Sequence, residues 1–124
     1  MNEKSKFIAL KNYIPVGLPT LDDFIIKEKE INFSDEQNVL VENIWISVDP
    51  YMRARMTEKK NYKDPFEIGE PMEGAAIGIV KKTNSSKLNV GDHVLNNCGW
   101  RDKFTDSDNN LKKYQTLISH YSHF

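Results

Sequence analysis

The chain has 124 residues, enough for one domain with a real core and too few to leave much room for a second. Its 17 lysines and arginines nearly balance 18 aspartates and glutamates for a net charge of -1, so no overall positive field draws it to nucleic acid or to an anionic membrane surface. One cysteine, Cys98, excludes an internal disulfide and a multi-cysteine zinc site, no apolar run approaches the ~20 residues of a bilayer span, and the opening MNEKSKFIAL lacks the apolar stretch of a signal peptide; the expectation is a soluble, cytoplasmic chain.

In chain order, KFIALKNY (6–13) carries a short β pattern, which two prolines and a glycine in IPVGLPT (14–20) turn into loop. FIIKEKEI (24–31) mixes apolar and charged positions and reads as a strand. NVLVENIWISV (38–48) holds two alternating apolar sets, Val39 and Val41, then Ile44, Ile46 and Val48, with a break near Glu42 and Asn43 that suits a bulge or a change of sheet face. PYMRARM follows as one helical turn, and EKKNYKDP (58–65) reads as an exposed loop. GAAIGIVKKT (74–83) and LNVGDHVLNN (88–97) are two further strands, the second entered through a Val-Gly-Asp turn before His93. Glycine inside such strands marks a sharp bend or the close approach of another backbone. Five or more short strands between turn signals predict a small, mainly β barrel or sandwich with minor helix.

Three landmarks in order, VENIWISVDPYMRARM, GEPMEGAAIGIV and LNVGDHVLNNCGWRDKF, resemble the catalytic, GroES-like domain of the medium-chain dehydrogenase/reductases. Within that superfamily the chain is most similar to the zinc-independent, NADPH-dependent alkenal/enone reductases, which include the prostaglandin and curcumin reductases. The resemblance runs from about Lys6 to Tyr121, and its most specific part is the run Asp49-Pro50-Tyr51-Met52-Arg53. It implies a partly open, mostly antiparallel GroES-like β-barrel with one short helix beginning near Pro50. It also implies an N-terminal domain over residues 1–121 and a divergent end at 122–124, where Ser122, His123 and Phe124 depart from the pattern. The implied activity is NADP(H)-dependent reduction of the C=C bond of an α,β-unsaturated aldehyde or ketone, in full-length enzymes that often pair as homodimers. The cofactor would be held mainly by a Rossmann domain, and no glycine-rich phosphate-binding turn occurs in these 124 residues. On this reading the chain is the N-terminal half, from fragment design or from a shortened or shifted reading frame, and is inactive alone. The alternatives are a stand-alone module binding a small molecule or partner, or a non-functional product.

The resemblance also orders the site residues. Zinc-dependent relatives use a cysteine and a His-Glu pair as ligands, whereas Asp49-Pro50-Tyr51 and Met72-Glu73-Gly74 stand at those places, so no zinc is expected. His120 and His123 stand three apart as metal pairs can, with chain-end polar residues as the plainer reading. Without a metal to polarise the carbonyl, a hydrogen-bond donor must stabilise the enolate, and Tyr51 is the candidate; its alternative is an aromatic lid bonded to backbone. Pro50 fixes its own φ and aims Tyr51. Met52 and Trp100 are candidates for the substrate wall or for packing. Arg53 and Glu73 are the candidates for cofactor contacts, set against solvation or ion pairing for Arg53 and Arg55 and an ion pair with either arginine for Glu73. Cys98 has no neighbouring lysine-histidine arrangement that would activate a thiol.

Overall fold

The computed structural model describes residues 3–58 and 64–114. The EKKNYKDP loop is thus described only in part, and His120, His123 and the 122–124 end lie outside the described residues. Seven strands are present: β1 (Glu3–Leu10), β2 (Phe24–Ile31), β3 (Val39–Ile46), β4 (Ala76–Thr83), β5 (His93–Asn96), β6 (Lys103–Asp106) and β7 (Lys112–Lys113). One short helix, α1 (Tyr51–Ala54), lies between β3 and β4, and single 3-10 turns stand at Leu21–Asp23 and Asp108–Asn110. No helix among the described residues is long and apolar enough to cross a membrane.

Every pairing within the two sheets is antiparallel: β1 with β2, and a five-stranded sheet in the order β6-β3-β4-β5-β7. The sheets are stitched rather than closed into a continuous barrel. The Ile8 N–H donates to the Trp100 carbonyl (2.8 Å), and the Asp102 N–H donates to the Lys6 carbonyl (2.9 Å). Further along the same edge Ala9 bridges to Pro71, and the Met72 N–H donates to the Ile8 carbonyl (3.2 Å). β1 is therefore the seam between the sheets, and its burial alternates with period two, Ser5, Phe7 and Ala9 inward and Lys4 and Lys6 outward.

The break expected in β3 is a pair of register shifts against β4, between Leu40 and Val41 and between Asn43 and Trp45. Before the break, β3 is clamped between β4 and β6 and contributes Val39, Leu40 and Val41 to the interior. Beyond it, β6 no longer pairs, and Ile44, Trp45, Ile46 and then Val48 stand exposed, Trp45 at 65%. Two cores result. One lies within the large sheet (Val39, Val41, Val80, Val94, Phe104, with Leu88 and Leu111), and the other lies under α1 (Leu10, Ile14, Met52, Met56, Phe66, Met72).

Three boundaries differ from the expectation. The first strand begins earlier and ends at Leu10, because Lys11 donates to the Asp23 carbonyl and Ile14 to the Met56 carbonyl, which turns the chain out of the sheet. The segment 88–92 is a turn, closed by the Asp92 N–H on the Asn89 carbonyl (3.0 Å) with Gly91 at φ 96°, and the strand starts at His93. Strands β6 and β7 carry too few apolar residues for a period-two signal and form by recruitment to the edges of β3 and β5.

Candidate functional site

Helix α1 starts where Pro50 sets a helical backbone (φ -57°, ψ -31°), and the Met52 N–H donates to the Asp49 carbonyl (3.1 Å). The approach to it is held by the Ser47 hydroxyl, which donates to the Asp49 carboxylate (2.8 Å). One turn of helix sends its side chains to different places. Met52 is only 2% exposed and belongs to the core under the helix, while Tyr51 is half-buried against that core's rim.

Trp100 packs on the same rim, brought there by the segment after β5. Gly74 is where these groups meet: a β-carbon at that position would lie 2.7 Å from the Met52 methyl and 3.4 Å from the Trp100 indole nitrogen. The absence of a side chain lets the 73–75 backbone sit under both without displacing the Met52 methyl. Gly99 is confined in the same way, a β-carbon there standing 2.9 Å from the Gly74 carbonyl that its own N–H bonds at 2.9 Å. Trp100 has φ +65°, the one described residue other than glycine in the left-handed region, a conformation that costs about 1–3 kcal/mol and is kept only where the surroundings dictate it.

Tyr51 and Trp100 thus pack on one core, the one that holds Met52. Arg53 and Glu73 are engaged elsewhere. The Arg53 guanidinium donates twice to the Gly17 carbonyl (2.9 and 3.3 Å) and ties α1 to the loop after β1. Arg55 donates to Glu73 (3.1 Å) and to the Asp64 carbonyl (2.7 Å), with its guanidinium 4.3 Å from the centre of the Phe66 ring. The second Glu73 oxygen accepts from the Asn97 amide (3.2 Å). Glu73 is therefore in the ion pair with Arg55. Burial pushes the Cys98 thiol above its ordinary value of 9.0, with the Arg101 charge as the leading opposing influence, so at neutral pH it is a protonated packing group. Among the described residues no group of three or more His, Cys, Asp or Glu side chains is arranged to hold a metal.

A cavity of about 870 Å³ touches neither Tyr51 nor Trp100; its lining includes Lys11, Tyr13, Val16, Thr57, Glu58 and Ile68, and the Tyr13 hydroxyl is already donated to the Phe66 carbonyl (2.9 Å). A smaller apolar groove of about 340 Å³ reaches Trp100 and is walled also by Phe7, Ile8, Ile26 and Ile46, with Lys6, Arg101 and Asp102 beside them. Sequence reasoning missed the asparagine that organises this side. The Asn43 amide donates to the carbonyls of Cys98 (2.8 Å) and Arg101 (3.1 Å), its oxygen accepts from Asn96 (3.0 Å), and its backbone N–H donates to Asp102 (2.9 Å). The available signal was an amide in a β-branched run at the predicted break, where a lone polar residue needs partners.

A family model described as the N-terminal domain of oxidoreductase matches residues 6–114. The chain is 34% identical over 99 residues to the NADPH-dependent curcumin reductase of Escherichia coli (strain K12), covering 80% of this chain and 29% of that protein. It is 33% identical over 102 residues to the 2-alkenal reductase (NADP(+)-dependent) of Nicotiana tabacum, covering 79% and 29%. The crystal structure of CurA in complex with NADPH from Vibrio vulnificus superposes with a TM-score of 0.80 at 32% identity, over 94% of this chain and 35% of that one. The chain spans less than a third of the length of either curated relative.

Proposed function

This chain belongs to the family of N-terminal oxidoreductase domains, as the GroES-like domain of a medium-chain dehydrogenase/reductase, and from that premise we propose that it forms the substrate side of an NADP(H)-dependent reductase of α,β-unsaturated aldehydes and ketones. The observation that carries this reading is that Tyr51 and Trp100 both pack on the core that holds Met52, with Met52 and Trp100 meeting over Gly74. Adding a hydride equivalent to the β-carbon of an enone shifts negative charge onto its carbonyl oxygen. A phenolic O–H aimed at that oxygen stabilises the charge as it develops. The indole offers a flat face to a planar conjugated system, and Met52 backs it from the core. The similarity to a curcumin reductase and a 2-alkenal reductase supports this substrate class.

On this proposal the domain extends over residues 1–121, works in the cytoplasm and uses no zinc, the carbonyl being polarised by Tyr51. The nicotinamide dinucleotide is held by a Rossmann domain rather than by these residues. Arg53 and Arg55 are spent on internal partners, and no glycine-rich phosphate turn occurs in the 124 residues. The exposed run Ile44, Trp45, Ile46 and Val48 supports a face that such a domain covers.

The experiment is to join the chain in frame to a Rossmann cofactor domain and to follow NADPH-dependent reduction of 3-nonen-2-one. Tyr51→Phe is expected to lower turnover by about 10² to 10³ while leaving NADPH affinity unchanged, since one donor to a developing oxyanion typically contributes that much. Full activity in the Phe variant would reduce Tyr51 to a packing residue. The 124 residues alone are expected neither to bind NADPH nor to reduce the enone, and micromolar NADPH binding by them would show that the cofactor site is misplaced. More than a small fraction of an equivalent of zinc surviving dialysis against chelator would overturn the metal-free assignment.

A further inference from the structure

We infer that Asn43 is a positioning residue for Trp100: by fixing the 96–102 segment it holds the indole in the left-handed backbone conformation that packs it on the core of Met52. The inference rests on the reading of Trp100 as part of the substrate surface, but the geometry behind it is independent of any substrate.

Trp100 sits at φ +65°, where a residue with a β-carbon does not settle of its own accord. Something on each side must hold it. On the near side the Cys98 carbonyl accepts from the Asn43 amide (2.8 Å), and the Cys98 N–H donates to the Asn96 side-chain oxygen (2.8 Å). On the far side the Arg101 carbonyl accepts the second Asn43 amide hydrogen (3.1 Å), and the Asp102 carbonyl accepts from the Asn43 backbone N–H (2.9 Å). One side chain therefore brackets Trp100, bonding the carbonyls two residues before it and one residue after it. The Asn43 oxygen in turn accepts from the Asn96 amide (3.0 Å), which fixes which way the Asn43 amide faces. Neither donor can be replaced by a carboxylate or by an apolar side chain, because both partners are backbone carbonyls. Trp100's own carbonyl accepts from Ile8 (2.8 Å), so the bracket also sets the seam between the two sheets.

The tryptophans themselves supply the readout. Trp45 and Trp100 are the only two in the sequence, and in a Trp45→Phe background emission reports Trp100 alone. There, Asn43→Ala is expected to shift the Trp100 emission to the red and to steepen its quenching by acrylamide, with the cooperative unfolding transition retained. Asn43→Asp keeps the volume and the acceptor but loses both donors, and the same change is expected from it. Unaltered emission and quenching in a folded Asn43→Ala chain would overturn the inference, and so would rescue by Asn43→Asp, which would leave only packing volume. If Asn43→Ala does not fold, Asn96→Ala removes the bonds that orient the same amide and is expected to give a smaller shift in the same direction; no shift there would overturn the inference equally. No substrate enters these measurements, so they can fail while the enone reading stands, and that reading can fail through Tyr51→Phe while the bracket stands.

Discussion

A single methyl group added at Gly78 tests how the break in β3 is built. Gly78 lies opposite Asn43 in the β3–β4 register, and a β-carbon there would meet three groups at once: the Val41 Cγ1 methyl, the Asn43 side-chain oxygen at 2.9 Å and the Glu42 backbone carbonyl at 3.0 Å. Val41 is wholly buried in the core of the large sheet and the Glu42 carbonyl belongs to the backbone, so neither can swing aside. Asn43 can move only by giving up bonds to Cys98, Arg101 and Asn96. Overpacking of this kind costs about 1–3 kcal/mol. Weakening one of the Asn43 hydrogen bonds costs about 0.5–1.5 kcal/mol more. The stiffer unfolded chain of an alanine variant returns about 0.4–1 kcal/mol. The net expectation for Gly78→Ala is a loss of about 2 kcal/mol. For a chain of this size that lowers the melting temperature by roughly 6–12 °C. Thermal and urea unfolding followed by circular dichroism measures it. A Gly78→Ala chain that melts with the wild type would mean that the strand crossing at Asn43 is looser than the register requires.

Arg53→Ala removes the two hydrogen bonds that hold the Gly17 carbonyl, so the 15–19 loop is expected to become the first site of limited proteolysis with little change in melting temperature. Unchanged cleavage would show that Pro15 and Pro19 hold the loop unaided. Cys98 is expected to react slowly with iodoacetamide at pH 7 and to speed up only as pH rises past 9, because burial raises its pKa; fast labelling at neutral pH would contradict that burial. The Ser85 hydroxyl donates to Asp108 (2.6 Å) and leads the influences that hold this carboxyl below its ordinary 3.8. A depressed folded pKa stabilises above the unfolded value and ceases to as pH falls through the folded one, so the Ser85→Ala deficit is expected near neutrality and should vanish in acid. A deficit that persists unchanged in acid would assign it to something other than this carboxylate.

What could be read from the sequence follows the range of the forces involved. Strand β2 has the predicted bounds, and the turn at Pro50 is set locally by the proline's fixed φ. The break at Glu42 and Asn43 was visible as an interruption of period, but its partners were not, since Asn43 reaches Cys98 and Arg101, 55 and 58 positions away. The tie between Arg53 and Gly17 was equally hidden, because a guanidinium can satisfy itself on any carbonyl and sequence does not say which. The Tyr51 motif was legible only as a pattern of unlike residues, and what lets its Met52 meet Trp100 is the glycine at 74, whose role depends on a backbone approach that no periodicity encodes.

The two cores are chemically unlike, one of valines with a phenylalanine and leucines, the other holding Met52, Met56 and Met72 under α1. β-Branched side chains keep few rotamers, whereas thioethers bend to fill irregular space. The architecture therefore separates what keeps the protein folded from what shapes its site. Substitutions among the methionines can recontour the floor beneath Tyr51 while the valine core keeps the strand registers, so changes of shape there can accumulate across generations without each having to be matched by a compensating change in the sheet.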